Sequence, residues 1–283
     1  MELFFKQVDA FTDKAFSGNP AAVFLLEESY DDAYLQAIAE EMNLPETAFL
    51  RQIENNVFQL RWFTPTVEIE LCGHATLASA HVLWEEKMAD IHQPLVFQSK
   101  SGPLYATKHQ DWIQLDFPLE PAQDDADPVL KELLHHALAT NIRYVGKNKR
   151  AILVEIDSED ALRALTPDIP LLASIDANGV VITSQASNEP YDFVSRCFYP
   201  RIGIHEDPVT GSAHCCLADY WGRRLGKTAM LAYQASKRGG TLQIELSGKE
   251  RVLLRGQAVT TIKGVVTQHL LRRGGSEQLL QVN

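Results

Sequence analysis

The chain repeats itself once, at long range. Phe63-Thr64-Pro65-Thr66-Val67-Glu68-Ile69-Glu70-Leu71-Cys72-Gly73-His74-Ala75-Thr76 is echoed 135 positions later by Phe198-Tyr199-Pro200-Arg201-Ile202-Gly203-Ile204-His205-Glu206-Asp207-Pro208. The copies match at Phe63/Phe198, Pro65/Pro200, Val67/Ile202 and Ile69/Ile204, which sets Cys72 opposite Asp207. A two-residue slip then aligns Ser79-Ala80-His81 with Ser212-Ala213-His214. An echo at this distance points to a duplicated domain rather than a solenoid of short repeats. Each copy leads from alternating apolar residues through a turn with a reactive side chain into a helix of small residues. That is the outline of an active site with two halves.

A duplicated domain needs room, and 283 residues, 45% of them apolar and 22% charged, suffice for two ordinary cores. Met1-Glu2-Leu3-Phe4-Phe5-Lys6 lacks the pattern of a secretory leader, and no apolar run is long enough to span a membrane. A soluble, cytoplasmic protein is therefore expected, with no membrane partner. The net charge of −11 argues against nucleic acid, which requires clustered Lys and Arg. Cys72, Cys197, Cys215 and Cys216 form neither a CxxC pair nor a disulfide framework, so reduced thiols are expected.

Local patterns add the elements. Strands are expected at 2–11, 21–26, 47–50 and 57–63, and an amphipathic helix at 31–42 that ends before Pro45. Residues 75–87 are small or apolar on nearly every side, as in a helix enclosed by other structure. Hairpin strands follow at 95–98, 103–107 and 112–117. Pro118-Leu119-Glu120-Pro121 and the acidic run Asp124 to Asp127 read as a linker.

Beyond it, helices are expected at 128–138, 158–165 and 212–225, with strands at 143–146, 151–156, 179–184, 242–246, 252–255 and 258–262. A last strand at 265–271 would return to the first half. The expected fold class is α+β, with two pseudo-symmetric domains, each a mixed β-barrel wrapped around a central α-helix. The first domain is placed at 1–118, completed by 265–283, and the second at 119–264.

Three places carry chemistry. Glu46 follows a helix-ending proline and precedes an apolar strand, so its carboxylate is partly desolvated and suited to general acid/base work; a solvated loop glutamate is the simpler account. Cys72-Gly73-His74 lies at a strand-to-helix junction, where free N–H groups can hold an anion and Gly73 admits close approach. His74 can exchange protons near neutral pH, or can merely pack. Glu206-Asp207-Pro208-Val209-Thr210-Gly211-Ser212 offers backbone donors and a hydroxyl at a second helix start. Capping would account for Asp207 and Pro208 but not for the Thr-Gly-Ser run. His81, His205 and His214 fit no compact zinc spacing, so no metal is expected. Neither GxGxxG nor GxxxxGK[ST] occurs, which argues against a Rossmann dinucleotide site or a P-loop.

Taken together, four motifs resemble the PhzF (phenazine biosynthesis-like) family. They are Val8-Asp9-Ala10-Phe11-Thr12 with Gly18-Asn19-Pro20-Ala21-Ala22-Val23; Leu44-Pro45-Glu46-Thr47-Ala48-Phe49; Arg61-Trp62-Phe63-Thr64-Pro65 through Cys72-Gly73-His74-Ala75-Thr76; and Glu206 through Ser212. The resemblance covers both halves in order. It implies a diaminopimelate-epimerase fold, with the site in the cleft between domains, and a cofactor-free isomerase. The best-understood member of that family acts on trans-2,3-dihydro-3-hydroxyanthranilate. By the same resemblance Glu46 is the shuttling acid/base, with His74 and Asp207 as further catalytic groups. Gly73, Gly211, Ser212 and Asn19 would bind a small carboxylate substrate.

Two alternatives stay open. A two-base racemase or epimerase wants a thiol from each half, and Cys72 faces Asp207 instead. A small-carboxylate-binding protein would use the same cleft without turnover. A homodimer is an arrangement that barrel edges allow.

Overall fold

The computed structural model describes residues 2–125 and 127–267. In chain order the first half is β1 (Glu2–Ala10), β2 (Asn19–Leu26), α1 (Asp32–Met42), β3 (Glu46–Glu54), β4 (Val57–Phe63), β5 (Glu68–Ile69), α2 (Gly73–Glu85), β6 (Leu95–Ser99), β7 (Gly102–His109) and β8 (Trp112–Pro118). The chain continues with β9 (Gln123–Asp124), α3 (Pro128–Leu138), β10 (Ile142–Lys147), β11 (Ala151–Ile156), α4 (Glu159–Ala164), α5 (Ile169–Ser174), β12 (Gly179–Gln185), β13 (Phe193–Tyr199) and β14 (Ile204–Asp207). It ends with α6 (Gly211–Leu225), β15 (Ala229–Gln234), β16 (Gly240–Ser247), β17 (Arg251–Gly256) and β18 (Ala258–Thr267).

Strand pairing displays the duplication more clearly than the residues do. The first half is hydrogen-bonded in the order β18-β1-β2-β3-β4-β6-β7-β8, and the second in the order β9-β10-β11-β12-β13-β15-β16-β17. Parallel pairs fall at the same places, β2 with β3 and β4 with β6, then β11 with β12 and β13 with β15. The short strands β5 and β14 fold back on β4 and β13 as matching flaps. Antiparallel pairing of β8 with β17 joins the halves.

Each run of strands wraps one helix. α2 buries every residue from His74 to Ala80, together with Val82, Leu83 and Trp84, against the first run. α6 does the same in the second with Ala213 to Ala218, Tyr220 and Trp221. A helix that is apolar all round must be enclosed, because no face of it can be left in water without losing the burial that stabilises it. The outer faces of the strands carry the remaining helices. α1 covers Phe24, Phe49 and Phe63, while α3, α4 and α5 cover Ile152, Val154, Val180 and Ile182.

Several boundaries moved. α5 and β15 were not anticipated, since each is short and β15 mixes Tyr and Gln into its apolar pattern. β18 is one strand rather than two and pairs with β1 along its length, from Ala10↔Ala258 to Glu2↔Thr267. Residues 258–264, grouped from sequence with the second half, thus lie beside the first strand. Expected strand residues 268–271 fall outside the described residues. The linker is pinned as well: Leu119 N–H donates to Glu250 O, Glu120 N–H donates to Cys215 O, and β9 pairs with β10. No described helix is long and apolar enough to cross a membrane.

Candidate active site

Local backbone geometry delivers the functional side chains to one end of the strands. α1 stops where Asn43 takes a left-handed conformation (φ 48°) and its N–H closes onto Ala39 O. Leu44 and Pro45 cannot continue the helix, so Glu46 opens β3 beside Ala21 of the parallel strand β2. Asn19 opens β2 itself, and therefore shares that end of the sheet. β4 returns alongside β3, the β5 flap reverses the chain, and Cys72 leads into α2. In the second half, the β14 flap carries Asp207 opposite Cys197 and then into α6.

The first turns of the two enclosed helices meet. A Cβ built on Gly73 would lie 3.5 Å from Gly211 Cα, and the converse distance is the same. Neither helix has a side-chain cap: Cys72 and Thr210 occupy the N-cap positions without bonding the turn that follows. By contrast, Asp127, Ser158 and Asp168 each cap α3, α4 and α5 with a side-chain oxygen. Uncapped N-termini leave backbone donors and the positive ends of two helix dipoles directed at one small volume. An anion is the complementary ligand.

A chain of polar side chains crosses the junction. Glu46 Oε2 lies 3.1 Å from His74 Nε2, and neither atom has a partner that meets hydrogen-bond geometry. On the other side of the ring, His74 Nδ1 faces Asn19 Nδ2 at 3.1 Å and Cys72 Sγ at 3.5 Å. The wholly buried Asn19 amide also donates to Asp207 Oδ1 (2.8 Å) and Val209 O (2.8 Å). Thr210 Oγ1 donates to the second Asp207 oxygen at 2.5 Å.

Burial sets the protonation states. It pushes Asp207 up to about 6; His74 and the Thr210 and Asn19 donors oppose that rise, while nearby Glu46 adds to it. It also raises Cys72, reinforced by Glu46, so the thiol stays protonated at neutral pH. For His74, burial opposes the charged ring, but Cys72 and Glu46 outweigh it and hold the imidazole well above the usual histidine range.

A cavity of about 90 Å³ opens on this junction. Glu46, Gly73, His74, Asp207, Gly211 and Ser212 all line it, so the expected residues from both halves are brought together. Asn19 is placed behind them, donating to Asp207 and Val209 O and lying against His74 instead of facing the cavity. His81 lies further along α2 beside Thr260, His205 is exposed on β14, and His214 is buried in α6, its Nδ1 on Thr210 O and its ring against Phe193.

Wall residues that sequence reasoning missed include Phe117 near the end of β8, Glu120 in the linker region and Arg150 on the β10–β11 turn. Gln234 was missed too. Its Oε1 accepts from Thr210 N (2.8 Å) and its Nε2 donates to Asp207 O (2.7 Å), so β15 fixes the approach to α6. Only a pairing of β15 with β13 could have located it.

The echo itself needs realignment. Trp62 pairs with Ile69 as Cys197 pairs with Asp207, and Gly73 opens α2 as Gly211 opens α6. The structural counterpart of Cys72 is therefore Thr210, and that of Ser212 is His74, not Ser79. A few extra residues between strand and helix in the second copy shift the register.

Glu46, Cys72 and His74 bring potential ligand atoms within 4.8 Å of one another. The imidazole presents Nε2 to Glu46 and Nδ1 to Cys72, so an ion held by the three would take only one of its nitrogens.

Comparison with known proteins agrees with this architecture. Residues 8–264 match the family described as phenazine biosynthesis-like protein. An uncharacterized isomerase of Halalkalibacterium halodurans is 53% identical over 90% of this chain and 95% of its own length. An uncharacterized isomerase of Pseudomonas aeruginosa is 44% identical over 93% and 98%. A crystal structure of a phenazine biosynthesis protein of the PhzF family from Enterococcus faecalis superposes with a TM-score of 0.88 at 41% identity, covering 95% of this chain and 100% of that one. The chain belongs to the phenazine biosynthesis-like family, as an isomerase with the diaminopimelate epimerase-like fold.

Proposed function

We propose that the protein is a cofactor-independent isomerase of a small carboxylate, in which Glu46 takes a proton from one substrate carbon and returns it to another. The observation that carries this reading is the buried Glu46–His74 ion pair, 3.1 Å apart but, among the described residues, without a hydrogen bond of good geometry at either atom, in a cavity roofed by two uncapped helix starts. Buried polar atoms without partners are costly unless a ligand satisfies them.

The substrate carboxylate sits on the N–H groups of Gly73, Gly211 and Ser212. That placement draws electron density from the adjacent carbon as its proton leaves, and the low polarity of the site strengthens each contact. His74, whose Nδ1 side faces Cys72 Sγ, stabilises the Glu46 carboxylate before the transfer and the substrate charge during it. Asp207, ionised above about pH 6 and fixed by Asn19 and Thr210, balances the charge of His74. Each of these steps uses protein groups alone.

Glu46→Gln tests the assignment. Turnover should fall about 10²- to 10⁴-fold, with the melting temperature nearly unchanged. Incubation of bound carboxylates in heavy water should show deuterium entering the substrate with wild type and not with the variant. Full turnover by Glu46→Gln would sink the proposal. A two-thiol racemase mechanism is disfavoured by Thr210 at the counterpart of Cys72 and by the protonated state of Cys72. Loss of activity in Cys72→Ser with retention in Glu46→Gln would restore it.

A further inference from the structure

The wall of the cavity contains one permanent cation, and that cation is not fully used. Arg150 lies on the turn between β10 and β11, outside both copies of the repeated motif and outside the chain of side chains that runs from Glu46 to Asp207. Among the described residues it is the only lysine or arginine lining the cavity, where three carboxyl groups, Glu46, Asp207 and Glu120, are also present. Such a wall repels a substrate with a second negative group unless something compensates. Arg150 is placed to do so.

Its geometry leaves donors to spare. Arg150 Nε alone contacts Glu120, at 2.9 and 2.8 Å from the two carboxylate oxygens. The forked pairs elsewhere in the protein differ: Arg61 uses Nε and Nη2 on Glu68, and Arg196 uses Nε and Nη2 on Glu206. Among the described residues, no partner engages Nη1 or Nη2 of Arg150. A guanidinium carries five N–H donors, and the two on its terminal edge match the spacing of a carboxylate.

The main chain on either side of the pair is anchored. Asn148 Oδ1 accepts from the Arg150 and Ala151 N–H groups, and Asn148 Nδ2 donates to Glu120 O. Glu120 N–H in turn donates to Cys215 O of α6. The pair is thus tied to the second enclosed helix, whose uncapped start forms part of the same cavity. An arginine held on one edge and open on the other costs little entropy when a ligand arrives.

We infer that Arg150 recognises a second carboxylate, so that the substrate class is a small dicarboxylic acid. This rests on the carboxylate-isomerase reading above: the first carboxylate sits on the helix starts, and the second reaches Arg150 on its free edge. Glu120 keeps the guanidinium oriented and disfavours occupation by a monoacid tail, because an apolar tail would desolvate the ion pair without replacing its contacts.

Binding can be measured by calorimetry for succinate, glutarate and adipate against butyrate, valerate and hexanoate, with wild type, Arg150→Met and Arg150→Lys. Wild type should prefer one or more diacids over the monoacid of equal carbon count by about ten- to hundredfold, the worth of one charge-assisted contact. Arg150→Met should erase that preference, weakening diacids while monoacids bind no more weakly than before, and Arg150→Lys should keep part of it. Glu120→Gln/Arg150→Met guards against an effect of the unpaired Glu120, and should behave like Arg150→Met. Equal affinity for both series in wild type would overturn the inference, as would a preference that survives Arg150→Met. So would an equal loss for monoacids and diacids, which would make Arg150 the site of the first carboxylate. If neither series binds wild type at all, the carboxylate reading itself falls, and this one with it.

Discussion

Gly73 and Gly211, the first residues of the two enclosed helices, face each other so closely that a Cβ on either would touch the Cα of the other at 3.5 Å. That distance is ordinary van der Waals contact, so a single alanine fits. Gly73→Ala or Gly211→Ala should leave the melting temperature within a few degrees, yet place a methyl over the N–H cradle and weaken carboxylate binding about tenfold. The double variant directs two methyl groups at one gap. Its loss of stability should exceed the sum of the single losses, as a double-mutant cycle by denaturant titration would read.

The carboxyl of Asp207 predicts an acid limb. With a pKa near 6 in the folded protein, it is ionised at neutral pH, and kcat/KM should fall as pH drops through about 6. In Asp207→Asn that limb should vanish, with lower activity at every pH. Stability runs the other way. A folded pKa above the ordinary 3.8 means that the native state holds its proton longer. This contribution to stability is present below about 3.8, declines between 3.8 and about 6, and is lost above. Urea midpoints of wild type minus variant, measured across that window, should show this slope.

Gln234 links β15 to the start of α6 by two hydrogen bonds to main-chain atoms, Thr210 N and Asp207 O. Gln234→Leu takes these partners from the buried Thr210 N–H and the part-buried Asp207 carbonyl, at a cost of about 1–3 kcal/mol for the buried donor. A lower urea midpoint should accompany a fall in kcat, since Asp207 and Gly211 both depend on that segment. If stability fell with kcat unchanged, Gln234 would be structural only.

Asp9, 1% exposed, pairs with Arg238 at 2.8 Å and accepts from Phe16 N, while Arg238 also donates to Ser17 O and Gly18 O. Gly18 has φ +64°, and an added Cβ would fall 2.2 Å from Ala10 O, so the turn before Asn19 requires glycine. Arg238→Met strips a buried carboxylate of its cation and should cost about 3–5 kcal/mol. Arg150→Met, at a half-exposed pair, should cost under about 1 kcal/mol, and thermal melts would separate the two.

Much of the fold was legible because it follows from local rules. The buried character of α2 shows in Ala75, Leu77, Ala78, Ala80 and Val82, which leave no polar face, and the end of α1 shows in Pro45. Glu46, Gly73, His74, Asp207, Gly211 and Ser212 were legible as candidates because each adjoins an element boundary marked by Pro or Gly. Asn19 was singled out with them, but its burial behind His74 was not visible. Hydrogen bonds to Asp207 and Val209 span almost two hundred positions.

By itself, the sequence determined that the chain is a duplicated α+β scaffold and that reactive residues cluster at two helix starts. Periodicity, turn residues and the repeat are properties of neighbours along the chain. Tertiary structure alone decided that those two starts meet at Gly73 and Gly211, and that Thr210, not Asp207, stands where Cys72 stands in the first half. It also decided that Gln234 and Arg150 belong to the site. Strand pairing between distant segments controls all of these, and a shift of a few residues between strand and helix changes which side chain reaches the cavity.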